Sequence, residues 1–238
     1  MTERHDPTVT LGWMYEGTEN LLGAVAALDP GTLMSPSRLP GWTRAHLIGH
    51  VARNAEALVR LVSWARTGIE NPMYESTDQR SAEIASTATL RPGTLLGLVV
   101  DTASQLDAAL AQLDKHGWEA PVKTALGRTV PAAEIPWMRI REVWIHAIDL
   151  GADLSFADFP PGAIDLLLDD TVAALSSREG CTSITLAPGD RTRTWALGPA
   201  SDDAPVVDDS AALLAQWLTG RLPGADRPES LPDLPRWI

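Results

Sequence analysis

The sequence holds a single cysteine, Cys181, among 238 residues. No disulfide can close within the chain, which fits a reducing compartment. Basic residues are scarce: 19 Lys and Arg stand against 31 Asp and Glu, for a formal net charge of −12. Such a surface disfavours nucleic acid, whose affinity comes mainly from clustered Lys and Arg. It also disfavours docking on anionic lipid. Long hydrophobic runs are missing too; LLGLVV at 95–100 falls far short of the roughly 20 residues a membrane span needs. The opening MTERHDPTVT is charged and has no apolar core, so no secretory signal is expected. No internal repeat or low-complexity tract is present. These absences lead to the expectation of a cytoplasmic protein with no nucleic-acid and no membrane partner.

What remains is ordinary globular material, 45% hydrophobic and 21% charged, in a chain long enough for a real core. Residues 8–28 carry apolar residues at helical spacing and stop at Asp29-Pro30-Gly31. A Pro/Ser/Gly-rich connector leads to Thr43, an N-cap for a second helix that stops before Gly68. NPMYESTDQRSAEI (71–84) reads as a loop entering a short helix. A third long helix is expected over 94–115. A fourth runs from about Pro131 to Leu150, stops at Gly151, and tolerates Pro136 in its first turns. Four long amphipathic helices suggest a bundle. The composition then changes. After SFADFPPG (155–162) come one helix, short β-type runs in TSITLAPG and RTRTWALGP, a third in APVVDDS, and a helix over AALLAQWLTG. The proline-rich end forms no regular element. The chain is therefore read as a two-domain α+β protein, a four-helix bundle over 1–154 and a small α+β domain over 155–238.

The fourth helix contains REVWIHAIDLG (141–151). Glu142 and His146 stand one turn apart, Asp149 a turn further on. His146, Asp149 and Arg139 all fall within roughly 60° of Glu142 on a helical wheel, with Ile140, Trp144, Ala147 and Ile148 opposite. Taken alone, the wheel favours a solvated stripe whose i,i+4 pair contributes a few tenths of a kcal/mol. The second helix carries another i,i+4 pair, His46 and His50. One histidine from there with the E-x-x-x-H pair makes an N,N,O set with open positions, the pattern of a catalytic zinc site on facing helices. Either histidine could serve. His50 is preferred, because it lies closer to the apolar face of Leu47, Val51 and Leu58.

GWTRAHLIGHVARNA (41–55), NPMYESTDQRSAEI (71–84), GRTVPAAEIPWMRIREVWIHAIDLG (127–151) and the closing PRWI (235–238) closely resemble the mycothiol-dependent maleylpyruvate isomerases. The resemblance covers nearly the whole chain. It implies a DinB-like metal-binding bundle followed by a sterol-carrier-like domain with LLAQWLTGR near its end. It implies a divalent metal, zinc in type, held by His50, Glu142 and His146. It further implies mycothiol as the low-molecular-weight thiol, and a cis-to-trans isomerisation of maleylpyruvate to fumarylpyruvate by thiolate addition, bond rotation and elimination. Cys181 lies far in sequence from the metal residues and reads as structural, so the sulfur comes from the thiol cofactor. The substrate is a small dicarboxylate, and an acidic protein must supply local cations to hold it. Arg80 and Arg221 are the candidates, Arg221 from the second domain. Asp149 could orient His146 or be a surface carboxylate at the helix end. Trp42 and Trp144 read as core. Two other functions stay open: a mycothiol S-transferase using the same metal site, and a non-catalytic metal- or lipid-binding protein.

Overall fold

A computed structural model describes residues 3–228 and 231–237, apart from the side chain of Asp226. Ile238, the last residue of the PRWI motif, lies outside them. The chain divides into two compact units, Met1–Leu154 and Ser155–Ile238.

The first unit is a helical bundle. Its long helices are α1 (Pro7–Ala27), α2 (Arg44–Thr67), α4 (Pro92–Leu110) and α6 (Ile135–Leu150), with α3 (Thr77–Ala88) between α2 and α4. Helix α6 lies against α1 and α2, and α2 also packs on α3 and α4. Local chemistry sets the boundaries. Asp6 caps α1 by accepting from the Thr8 amide, and Thr43 caps α2 by accepting from the His46 amide at 3.3 Å. Helices α2 and α6 end at Gly68 and Gly151, whose φ values of 73° and 92° are left-handed and suit glycine. Gly17 lets α1 approach α6. A Cβ there would lie 2.5 Å from the Trp144 ring, whose Nε1 donates to the Trp13 carbonyl at 2.9 Å.

Four details differ from the sequence reading. The fourth long helix, expected from about Pro131, begins at Ile135. Segment 71–84 was expected to enter only a short helix, yet α3 is a regular helix of 12 residues, started by Ser76 accepting from the Gln79 amide. The third long helix ends at Leu110, not near 115, because Asp114 caps a separate short helix, α5 (Lys115–Glu119). Ahead of α6 runs an antiparallel ribbon, β1 (Pro121–Lys123) with β2 (Thr129–Pro131). Its turn is closed by Gly127 at φ 78°. Three-residue strands containing Lys and Pro carry too little alternation to be legible.

The second unit holds α7 (Pro161–Ser176), β3 (Ile184–Leu186), β4 (Trp195–Leu197), β5 (Val206–Val207) and α8 (Ala211–Leu218). The sheet order is β4-β3-β5. Strand β3 pairs antiparallel with β4 and parallel with β5. Helix α7 packs on α8 and β4, and its Leu167, Leu168 and Leu175 are buried. The architecture is thus α+β, a helical bundle followed by a small sheet-containing unit. Among the described residues no helix is long and apolar enough to cross a membrane.

Candidate metal centre

Helix α6 is where the wheel misleads. Arg139, His146 and Asp149, which the wheel taken alone would put on a solvated stripe, are all buried. The cause is packing on two sides: Trp144 faces α1, and the polar groups face α2. A helix covered on both flanks loses the one-sided pattern that amphipathicity relies on.

Facing α2, three side chains converge. His50 Nε2 lies 2.8 Å from Glu142 Oε2, and His146 Nε2 lies 3.3 Å from the same oxygen. One ligand atom from each of His50, Glu142 and His146 lies within 4.8 Å of the other two. In a tetrahedral zinc site with bonds of about 2.0–2.1 Å, ligand atoms stand about 3.3 Å apart. The donor types and their spacing therefore fit a divalent cation. The imidazole rings of His50 and His146 meet edge to face, their centroids 5.1 Å apart.

Electrostatics favours the same reading. Burial pushes His50 below its ordinary imidazole value, against the pull of Glu142. Burial would raise Glu142, yet His50 and His146 beside it hold its carboxyl well below the usual range. Burial would lower His146, but hydrogen bonds to Asp149 and Glu142 outweigh it and raise the imidazole. Charged or strongly polar groups gathered in a buried place cost free energy unless something compensates them.

Surrounding groups fix these side chains. His146 Nδ1 lies 2.9 Å from Asp149 Oδ2. Donation to that carboxylate fixes the ring so that Nε2 is the nitrogen turned toward Glu142. Asp149 is only 1% exposed, so it is no surface carboxylate. Arg139, one turn before Glu142, donates through Nη1 to the Val51 carbonyl at 2.8 Å and to Asn54 Oδ1 at 2.9 Å. Burial lowers its guanidinium to about 10. It ties α6 to α2 beside and one turn below His50, and so sets the separation of the ligand-bearing helices. Sequence reasoning counted Arg139 only as part of the stripe. The usable signal was a cation one turn from Glu142 facing Asn54, which is one turn from His50.

Of the two substrate-binding candidates, Arg80 belongs to this neighbourhood. Gly49 lets α3 lie close to α2, since a Cβ there would sit 3.2 Å from Thr87 Cγ2. Arg80, one turn into α3, then reaches His50 Nδ1 at 3.3 Å. Its guanidinium also stands 5.7 Å from the Tyr74 ring centre, and burial raises the Tyr74 phenol. Arg221 belongs to the second unit, where it follows Gly220 and donates through Nη1 to the Thr219 carbonyl at 2.8 Å. His46 is half-buried, with Nδ1 2.7 Å from Thr43 Oγ1, and is not among the three converging residues. Trp144 is core, at 0% exposure. Trp42 is not: it is half-buried and meets the His50 ring edge-on at 5.3 Å. Cys181 is buried in the second unit, and burial raises its thiol.

The family model described as the mycothiol maleylpyruvate isomerase N-terminal domain matches residues 15–151. Among solved structures, the chain is similar to the crystal structure of the mycothiol-dependent maleylpyruvate isomerase. The two are 36% identical, with a TM-score of 0.89 and 100% of each chain covered. It is similar to the same degree to a histidine-to-alanine mutant of that isomerase, at 36% identity, TM-score 0.89 and full coverage of both chains. No curated protein matches the chain in sequence.

Proposed function

The chain belongs to the mycothiol maleylpyruvate isomerase family, and from that membership we propose that it isomerises maleylpyruvate to fumarylpyruvate with mycothiol and a divalent cation. The observation that carries this reading is the full-length likeness to an isomerase of that description. The convergence of His50, Glu142 and His146 supports it.

His50, Glu142 and His146 would hold the cation. We take it to be zinc, because an N,N,O set with an open position is the usual catalytic zinc arrangement. When bound, the cation acidifies the thiol, whose addition and departure convert the cis double bond to trans. The protein's own residues prepare that site. Asp149 holds the His146 ring with Nε2 directed at the shared point. Arg139 keeps α2 and α6 at fixed separation. Arg80 supplies positive charge beside His50, where a carboxylate of the substrate needs it in a protein of net charge −12. Arg221 is proposed as the second cation for the dicarboxylate, on its place in the LLAQWLTGR motif alone. The reading includes a cytoplasmic setting, where a thiol cofactor stays reduced.

The test is reconstitution. Protein stripped of metal by a chelator should convert maleylpyruvate only when zinc and mycothiol are both returned. Conversion with zinc alone, or with mycothiol alone, would remove the proposed chemistry.

A further inference from the structure

Beside the three converging residues lies a cleft of about 200 Å³ lined by Trp42, His46, Arg80, Ser81, Ile84 and Ala85. It shares walls with the candidate centre: Trp42 stands edge-on to His50, and Arg80 Nη2 lies 3.3 Å from His50 Nδ1. Drug-sized ligands occupy pockets of roughly 300–1,000 Å³, so this cleft suits a compact acid better than a sugar-conjugated thiol.

The lining has a definite chemistry. Trp42, Ile84 and Ala85 offer apolar surface, and Arg80 offers a permanent planar cation. Ser81 spends its hydroxyl proton on the Thr77 carbonyl at 2.9 Å, so the remaining polar donor is His46. Its Nδ1 is occupied by Thr43 Oγ1 at 2.7 Å, and this fixes the ring at the mouth of α2. Its Nε2 has no hydrogen-bond partner among the described residues.

We propose that this cleft seats a carboxylate of a small dicarboxylate substrate, with the His46 Nε2–H as the donor that completes the Arg80 clamp and sets specificity for a doubly charged acid. The inference rests on the isomerase reading for the identity of the substrate, while the cleft and its ligand class stand on the lining residues. His46 thereby has a role apart from the metal. Its i,i+4 spacing to His50 puts one histidine at the centre and the other at the substrate's far end.

The experiment compares wild type with His46→Leu and His46→Gln, all loaded with metal. Leucine removes the donor and leaves the Thr43 cap intact, because that bond uses the backbone amide of residue 46. Glutamine returns an N–H at similar reach. Two quantities are measured: KM for maleylpyruvate at saturating mycothiol, and calorimetric binding of maleate, which needs no turnover. Loss of one hydrogen bond to a charged group should raise KM and weaken maleate about tenfold in His46→Leu. Metal content, thermal midpoint and the half-saturating mycothiol concentration should not move, and His46→Gln should recover most of the loss. Equal maleate binding by wild type and His46→Leu would overturn the proposal. So would failure of wild type to bind maleate, or a shift in half-saturating mycothiol in place of KM. If wild type bound maleate in a His46-dependent way but isomerised nothing, the cleft would stand and the isomerase reading would fail.

Discussion

Two glutamates mark the two halves of the REVWIHAIDLG helix and its approach, and they are satisfied in opposite ways. Glu134, just before α6, is 1% exposed and surrounded by basic side chains. Arg4 grips it with Nε at 3.0 and 2.8 Å from its two oxygens and Nη2 at 2.8 Å from Oε1. His5 Nε2 lies at 2.8 Å and Arg128 Nη2 at 3.2 Å. Glu142, two turns later, meets two imidazoles through one oxygen, and a quarter of its side chain is exposed. A carboxylate gripped by two arginines and an imidazole is finished as a structural element, and here it ties the N-terminal residues to the start of α6. Glu142 instead shares its carboxylate with two imidazoles and makes no bond to an arginine among the described residues. Imidazoles and carboxylate are also the ligands a divalent cation prefers. The difference teaches that the type of partner, more than burial, separates a structural acid from a metal-binding one.

Exchanging each glutamate for glutamine tests that contrast most severely. Glu142→Gln removes the charged ligand while keeping shape. The variant should retain its fold, lose stoichiometric metal, and lose turnover on the order of 10³-fold, the equivalent of several kcal/mol. Glu134→Gln should do the reverse: keep its metal and lose about 3 kcal/mol of stability, because Arg4 is left without its carboxylate. Metal analysis and thermal melts on both variants decide it. If Glu134→Gln loses metal, or Glu142→Gln melts early with metal still bound, the two ends of the helix are not functionally distinct.

This division was only partly legible in the sequence. Thr43, Gly68 and Gly151 mark the ends of α2 and α6 by their chemistry alone. The E-x-x-x-H and H-x-x-x-H spacings locate the candidate side chains within a turn. Choosing His50 over His46 required knowing how far each lies from the apolar face, and the structure separates them by turning His46 to Thr43. The Glu134 cluster was hidden, because its partners Arg4 and His5 lie about 130 residues away and no local pattern links them. Arg139 was hidden for a different reason. A wheel treats any charge opposite an apolar stripe as solvated, and it has no means to register a second helix covering that side.

A smaller effect should come from Asp149, which distinguishes His146 from His50. Asp149 accepts from His146 Nδ1, whereas His50 Nδ1 faces the Arg80 guanidinium, which can only donate. Only His146 therefore has its tautomer preset for a cation at Nε2. Replacing Asp149 by asparagine keeps the size and weakens that preset. Metal affinity, measured by competition with a chromogenic chelator, should fall about tenfold. An unchanged affinity would mean that Asp149 serves the helix end and not the histidine.

The smallest expected change is at Arg128, and it probes whether Glu134 is truly saturated. Arg128 makes a single bond to Glu134 Oε1 at 3.2 Å, and its side chain is 60% exposed. An exposed ion pair gains little over hydration and carries an entropy cost for ordering a long side chain. Arg4 and His5 already cover both oxygens of Glu134, so losing Arg128 leaves no orphaned acceptor. Arg128→Ala should thus change stability by no more than about 0.5 kcal/mol and leave metal content and turnover at wild-type values. A melt lowered by the equivalent of more than about 1 kcal/mol would show that Glu134 still needs its third partner. The contrast with Glu142 would then be one of degree, with two under-compensated carboxylates, one before α6 and one on it, and only their neighbours deciding which of them takes a metal.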